Sequence, residues 1–457
     1  MRTSPWVVFA IACAAVFLVA VDATIAVAAF PALRSSFAET APATLSWVLN
    51  AYTILYAALL VPAGRLVDLH GARRLFLLGV TLFLLASAVC GMAPGLGTLI
   101  GARVVQAVGG ALLSPASLTL ILRSFPPGKR SAIVGLWSAA GALGAAIGPG
   151  AGAMLIQLAT WRAAFLVNLP AGLLILIFAF RRLPTLPGPD RGERLDLPGI
   201  ALIALGVAAL TYGVVQIDSA GLLATTVLAP ALAGVGLLLA YGVWARGRSG
   251  AAIDMTLFAD RTYALVTVAS FVFGIAFSMM FLSSFLFLFG VWGFSQGLTG
   301  LAVTPGPLVV IAVAISSGRI VARIGHRAVL VTGGVLYAFA QIWMATQVTA
   351  APAYLTLWFP MQIVGGVAVG LLLVGLSGAA VSGLATARFG VGGAVNNAVR
   401  QLGGVFGTAV AVVLVGRGGA GVEDFRLAFQ CLAALGLTTA CLCLPLPGAS
   451  GRLRAVG

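Results

Sequence analysis

Apolar residues fall along this chain in long blocks, separated by short breaks that hold the charges and most of the Pro/Gly-rich stretches. A helical block of about 20 apolar residues, rising roughly 1.5 Å per residue, matches the hydrocarbon thickness of a bilayer. Fourteen such blocks can be marked, at 6–30, 44–63, 75–93, 98–122, 131–157, 162–180, 197–217, 222–244, 262–290, 296–317, 328–347, 353–384, 391–416 and 426–445. The first begins like a signal peptide, with Arg2 ahead of an apolar run and small residues at Ala28 and Ala29. Because it carries Asp22 and precedes thirteen further blocks, it reads as an uncleaved first span.

Composition agrees with spans rather than with a water-soluble core. Hydrophobic side chains make up 61% of the chain, charged ones 8%, and the mean hydropathy is +1.11. That is too little charge to clothe a surface facing water, so a soluble globular fold is excluded and the chain is an all-α polytopic membrane protein. The net charge of +15 would suggest nucleic acid in a soluble protein. Here topology accounts for it, because short cytoplasmic loops hold the excess of Lys and Arg. With the N-terminus inside, the inner breaks take Arg65, Arg73 and Arg74; Arg123, Lys129 and Arg130; Arg181, Arg182, Arg191 and Arg194; and Arg319, Arg323 and Arg327. The outer breaks take Arg34, Arg162, Arg417 and Arg426. Both termini are therefore expected in the cytoplasm, and no nucleic-acid partner is indicated. Cys13, Cys90, Cys431, Cys441 and Cys443 lie in apolar runs without Cys-x-x-Cys spacing, which suits packing rather than a metal or a disulfide framework.

An internal repeat divides the blocks. Gly64-Arg65-Leu66-Val67, with Gly71 and Arg73 behind it, recurs at constant displacement as Gly318-Arg319-Ile320-Val321, Gly325 and Arg327. Two blocks further on in each half, Gln106-Ala107-Val108-Gly109-Gly110 recurs as Gln362-Ile363-Val364-Gly365-Gly366. Parallel repeats of this kind mark transporter halves. The expected organisation is a six-helix bundle over 1–180, a linker region with two additional spans over 181–261, and a second six-helix bundle over 262–457.

Several segments match known motifs. Gly64-Arg65-Leu66-Val67-Asp68-Leu69-His70-Gly71-Ala72-Arg73-Arg74 lies between spans 2 and 3, with Leu69 where an arginine is usual. Arg103-Val104-Val105-Gln106-Ala107-Val108-Gly109-Gly110 lies in span 4, and Gly144-Ala145-Ala146-Ile147-Gly148-Pro149-Gly150-Ala151-Gly152 in span 5, with Ala153 in place of a glycine. Val21-Asp22-Ala23-Thr24-Ile25 through Pro31 begins the chain's motifs, with Val27 in place of an asparagine, and Trp161-Arg162-Ala163-Ala164-Phe165-Leu166-Val167-Asn168-Leu169-Pro170 opens span 6. Over nearly the whole chain this resembles the major facilitator superfamily, and within it the fourteen-span drug:proton antiporter family. The resemblance implies alternating access in a bacterial inner membrane, export rather than import, and no cofactor.

Asp22 is the only carboxylate deep within any block. An ionised carboxylate in hydrocarbon is costly, so it must face a wet cavity, pair with a cation or be protonated, and each option suits a proton carrier. A structural ion pair that locks span 1 is the alternative. Asp22 lies eight residues below the outer end of its block and Arg103 five below that of span 4, a depth difference of roughly 4.5 Å, which makes Arg103 the expected counter-ion. Opening and closing this pair would turn a conformational change into proton uptake and release, whereas a permanent bridge would only fix two helices. Gly144, Gly148 and Gly152 recur every fourth residue beside Pro149, a small-residue face for close helix packing. In the turn after span 2, Gly64, Arg65, Asp68, Gly71, Arg73 and Arg74 are expected to form a charged clasp that breaks and reforms.

Candidate cavity groups are Asn50, Tyr52 and Tyr56, with Gln106, Gln341, Gln362 and Asn397, beside the Phe- and Met-rich ninth span. Arg400 either lines the same cavity or snorkels towards the cytoplasm. The expected function is a proton-coupled antiporter that expels hydrophobic, neutral or monocationic compounds. The alternative is a dedicated exporter of one metabolite, lipid or self-made antibiotic. The only histidines, His70 and His326, lie in inner breaks, and no acids or Cys/His ligands cluster, which argues against a membrane enzyme. Partners are then a small-molecule substrate, protons and the lipid bilayer, and nothing requires more than a monomer.

Overall fold

A computed structural model describes residues 4–40, 42–184, 196–221, 223–248, 251–253, 255–384, 389–415 and 420–447. Arg2 and, among the arginines assigned to the inner and outer breaks, Arg191, Arg194 and Arg417 lie outside them. Among the described residues fourteen helices are long and apolar enough to cross a membrane: α1 (Pro5–Phe30), α2 (Trp47–His70), α3 (Ala72–Gly91), α4 (Leu96–Ser124), α5 (Ile133–Ile156), α6 (Ala163–Arg182) and α7 (Leu197–Val215), then α8 (Thr225–Ala245), α9 (Arg261–Val291), α10 (Gly297–Ser316), α11 (Arg323–Gln347), α12 (Tyr354–Ser382), α13 (Val391–Val415) and α14 (Val422–Cys443). Helices are what such blocks must form, because hydrocarbon offers no partner for a free backbone N–H or C=O. The chain is a multi-pass membrane protein.

Helix ends are set by local chemistry. The second helix runs beyond its expected end at 63, through the motif residues to His70, and stops at Gly71 with φ 90° and ψ 135°. The equivalent Gly325 breaks the helical run near the start of α11 with φ 79° and ψ 164°. Both occupy a region that glycine alone enters without strain, so the repeat seen in the sequence is also a repeat of backbone geometry. Asp260 caps α9, its Oδ1 accepting from the amides of Thr262 at 2.7 Å and Tyr263 at 3.2 Å. The final helix starts at Val422, ahead of the expected 426, with Asp424 in its first turn accepting from the Gly421 amide at 2.8 Å. A further pair of contacts repeats between the halves. Arg162 Nη2 donates to the Ala93 carbonyl at 3.1 Å, just past the end of α3, and Arg426 Nη2 donates to the Val348 carbonyl at 3.1 Å, just past the end of α11.

The chain forms two compact units. The first takes α1 to α4, α5 from Ala140 onward, α6 to α8, and the 387–395 segment. Its core is built from facing apolar stripes, Ile11, Ala15 and Leu18 of α1 against Phe76 and Phe83 of α3, Leu113 and Leu120 of α4 and Ile175 of α6. Within this unit α7 lies against α2, where Trp47 stacks on Tyr212 at 5.9 Å and Val61 packs beside Ile203. Asp196 closes the α7–α8 hairpin by accepting from the Gly199 amide at 3.0 Å, Trp244 Nε1 at 3.0 Å and the Ala252 amide at 3.1 Å.

The second unit takes Pro127–Ala139, α9 to α12, α13 from Asn396 onward, and α14. Phe287, where α9 widens into a π-turn, is fully buried among Trp292, Trp358, Phe425 and Phe429. Tyr337 donates to the Ala276 carbonyl at 2.9 Å and lies edge-on to Phe273. Phe273 and Met279 of the Phe- and Met-rich span are thus interior packing residues of this unit.

Candidate functional site

Five side chains from four helices of the first unit meet in one closed polar network. Arg103 and Gln106 stand three residues apart on α4 and therefore share a face. Arg103 Nη1 donates to Asp22 Oδ2 at 2.7 Å and to Gln106 Oε1 at 2.7 Å, while its Nε donates to the Val48 carbonyl of α2 at 3.1 Å. Asp22 Oδ1 accepts from Gln106 Nε2 at 2.8 Å and from Asn168 Nδ2 of α6 at 2.7 Å. Ser87 Oγ of α3 accepts from the same two amides, at 3.0 Å and 2.9 Å, and donates to the Phe165 carbonyl at 3.1 Å. Asp22 and Arg103 are each only 1% exposed, and Ser87, Gln106 and Asn168 are not exposed at all.

This arrangement satisfies what burial of a charge demands. A lone ionised carboxylate in an apolar interior is unstable, but one that receives three donors, one of them cationic, is supported. Tyr52 lies with its ring 4.1 Å from the Arg103 guanidinium carbon, adding a cation–π face. Its own hydroxyl is buried without a hydrogen-bond partner. Tyr56 stacks on Tyr52 with ring centroids 5.8 Å apart. The ion pair and the Gln106 amide thus tie α1 to α4 through side chains that have almost no solvent contact.

On its other side α1 is pressed against α5. A Cβ on Gly144 would stand 2.5 Å from the Phe17 carbonyl oxygen, one on Gly148 would collide with Thr24 and stand 3.0 Å from the Val21 carbonyl oxygen, and one on Gly152 would stand 3.2 Å from Ala28. These residues bracket Asp22 along α1, so the glycine row lets α5 approach the helix that carries the acid. Pro149 lies in the same helix.

The other residues singled out from the sequence are more dispersed. Gly64 is buried inside α2, Arg65 and Asp68 are half-buried in its last two turns, and Arg74 is exposed at the start of α3. Arg73 Nη2 donates to the Phe180 carbonyl at 2.8 Å and so ties the turn to the end of α6. Asn50 donates to Ser46 Oγ at 3.1 Å. In the second unit Arg400 donates to Asn397 Oδ1 at 2.7 Å within one turn of α13, Gln341 is buried, and Gln362 is half-buried beside Gly306. Among the described residues no group of three or more His, Cys, Asp or Glu could hold a metal ion.

Ser87 was not signalled by the sequence, and Asn168 only as one letter of the span 6 motif. A lone amide or hydroxyl in an apolar run is a weak cue, because short polar side chains can also bond to their own helix. Thr24 does so, donating to the Ala20 carbonyl at 3.0 Å.

The fold agrees with comparisons to known proteins. A family profile described as Major Facilitator Superfamily matches residues 12–408. A relative named "Cephamycin export protein CmcT", from Amycolatopsis lactamdurans, is 32% identical over 417 residues, covering 90% of this chain and 85% of the relative. Another, named "Multidrug resistance protein Stp", from Mycobacterium tuberculosis, is 32% identical over 398 residues, covering 86% and 73%. The crystal structure of the human organic anion transporter MFSD10 shares the fold with a TM-score of 0.69 at 16% identity, over 96% of this chain and 99% of that one. The protein is thus a membrane transporter rather than an enzyme. The chain belongs to the major facilitator superfamily.

Proposed function

We propose that this protein is a proton-coupled exporter of small hydrophobic molecules, neutral or singly positive, working by alternating access. The observation that carries this reading is the buried Asp22–Arg103 pair. An acid kept without solvent contact and joined to a cation from another helix is a device whose protonation changes how two helices are held. In this reading the bundles over 1–180 and 262–457 rock about the substrate, the 181–261 region adds two spans, and both termini are cytoplasmic. The turn from Gly64 to Arg74 and its repeat at Gly325 act at the gates, α5 flexes on α1 through its glycines, and about one proton enters per cycle.

Two breadths of substrate are supported by different relatives. One bears the name of an exporter of a single antibiotic class and another that of a multidrug resistance protein, so a dedicated exporter stands beside a broad one. A transport panel separates them. Cells that express the protein are loaded with fluorescent lipophilic cations, neutral antibiotics and β-lactams, and efflux is followed before and after nigericin collapses the pH gradient. Efflux of several unrelated compounds that stops with nigericin supports the broad antiporter, and efflux of one class that stops supports the dedicated one. Efflux indifferent to the gradient overturns proton coupling.

A further inference from the structure

Asn168 holds an unusual position in the network. Its Nδ2 donates twice, to Asp22 Oδ1 and to Ser87 Oγ, while its Oδ1 is buried with no hydrogen-bond partner. Its orientation is imposed by its neighbours. An ionised Asp22 only accepts, and Ser87 has given its single proton to the Phe165 carbonyl, so both neighbours require the NH2 side of the amide. A buried acceptor left empty is costly, and the charge of Asp22 is what sustains it.

We propose that Asn168 is the positioning residue that reads the protonation state of Asp22, by a half-turn of its amide relayed through Ser87. The inference rests on the reading of Asp22 as the proton carrier. When a proton enters and bonds to Asp22 Oδ1, that oxygen becomes a donor and meets an N–H of Asn168. A half-turn about the last side-chain torsion brings Oδ1 of the amide to face the new O–H. The Ser87 hydroxyl proton swings from the Phe165 carbonyl to the same Oδ1, whose two lone pairs are then both filled, and Ser87 still accepts from Gln106. Nδ2 takes the place that Oδ1 had. Each orientation leaves one side of the amide unsatisfied, so the charge of Asp22 decides between them. In the protonated state the Phe165 carbonyl, at the start of α6, loses its bond to α3. Release of the proton reverses each move, and no atom is left over.

The groups that face Asp22 are few. Arg103 comes from α4, Tyr52 from α2 and Cys90 from α3, and the stretch of α5 along α1 and the level of Asn168 on α6 hold no titratable residue. Asn168 is therefore the neutral group through which α6 senses the acid.

The test uses the full-length protein in proteoliposomes. Wild type, Asp22→Asn, Asn168→Leu and Asn168→Ser are compared for the pH dependence of transport and for the infrared band of a protonated carboxyl, assigned by its loss in Asp22→Asn. Leucine keeps the branched shape of asparagine, is somewhat larger, and can neither donate nor accept, while serine can do both. The expected result is a midpoint of the transport pH profile displaced towards alkaline pH by about one unit in Asn168→Leu, since a donor to the ionised form is lost, equivalent to about a tenfold change. The carboxyl band should move to higher frequency, because the protonated acid has lost its acceptor, and Asn168→Ser should restore both. An Asn168→Leu variant with the wild-type midpoint and band overturns the inference and leaves proton coupling standing. A transport profile and band unaffected by Asp22→Asn overturns both. Should Asn168→Leu fail to fold, Asn168→Ala supplies the test, since it too removes the acceptor from the protonated acid and should raise the band frequency, and an unmoved band overturns the inference.

Discussion

Arg103 Nη1 lies 2.7 Å from Asp22 Oδ2, with both side chains sealed from solvent and each held by further hydrogen bonds. Removing one partner leaves a buried charge uncompensated, at a cost of about 3–5 kcal/mol, whereas removing both charges leaves none. Arg103→Gln should therefore lower the unfolding temperature in detergent markedly, and Asp22→Asn with Arg103→Gln should recover most of the loss. Transport driven by a pH gradient should be absent from the double variant although it is stable. Equal instability of the single and double variants would mean that the pair contributes nothing as a pair.

Tyr52 separates a packing role from a substrate role. Its ring faces Arg103 at 4.1 Å and its buried hydroxyl has no partner. Tyr52→Phe keeps the face and removes an unsatisfied group, so stability should hold or rise and the substrate range should stay the same. Tyr52→Leu should lose about 1–2 kcal/mol of cation–π attraction and slow transport of every substrate alike. A changed substrate preference in Tyr52→Phe would place its hydroxyl in the substrate path.

The first unit's glycines should rank by what a new methyl group meets. At Gly144 it meets backbone, the Phe17 carbonyl oxygen at 2.5 Å, which cannot yield without moving α1, and at Gly152 it meets Ala28 at 3.2 Å. Nothing lies within 4 Å of a Cβ at Gly101. Transport rates should fall most for Gly144→Ala, less for Gly152→Ala and not at all for Gly101→Ala. Equal rates in Gly144→Ala and Gly101→Ala would remove close packing of α1 and α5 from the account.

Asp196 gives a pH signature outside the spans. Burial alone would raise its carboxyl, but the hydrogen bonds from Trp244, Gly199 and Ala252 and the Arg248 charge prevail and hold it below its ordinary value. A carboxylate depressed in the folded state stabilises the hairpin above its unfolded value, and that contribution is lost as pH falls through the folded one. Asp196→Asn should thus be less stable than wild type at neutral pH, and the difference should vanish in acid below the folded value. Trp244 fluorescence on thermal unfolding reads this, and a difference independent of pH would contradict it.

Much of this was legible in the sequence because hydrocarbon imposes strict conditions on a chain. Fourteen apolar blocks became fourteen helices, since no other open-ended structure satisfies the backbone in lipid. The repeat of Gly71 at Gly325 was readable because a tight reversal between helices needs a residue free to take positive φ. The pairing of Asp22 with Arg103 followed from depth alone, as few charges exist inside the spans. The helix ends were less legible: the amphipathic motif after residue 63 looks like a loop by hydropathy, yet it continues α2 to His70. Ser87 and Asn168 were hidden because a bonded network depends on helix rotation and tilt, which block lengths do not encode.

The most direct test of the central claim is proton movement itself. In proteoliposomes with a fluorescent pH probe inside, a transported compound should set off proton flux in the wild-type protein, at about one proton per substrate molecule, and the flux should disappear in Asp22→Asn while substrate binding persists. Substrate-triggered flux of wild-type size in Asp22→Asn would contradict the account.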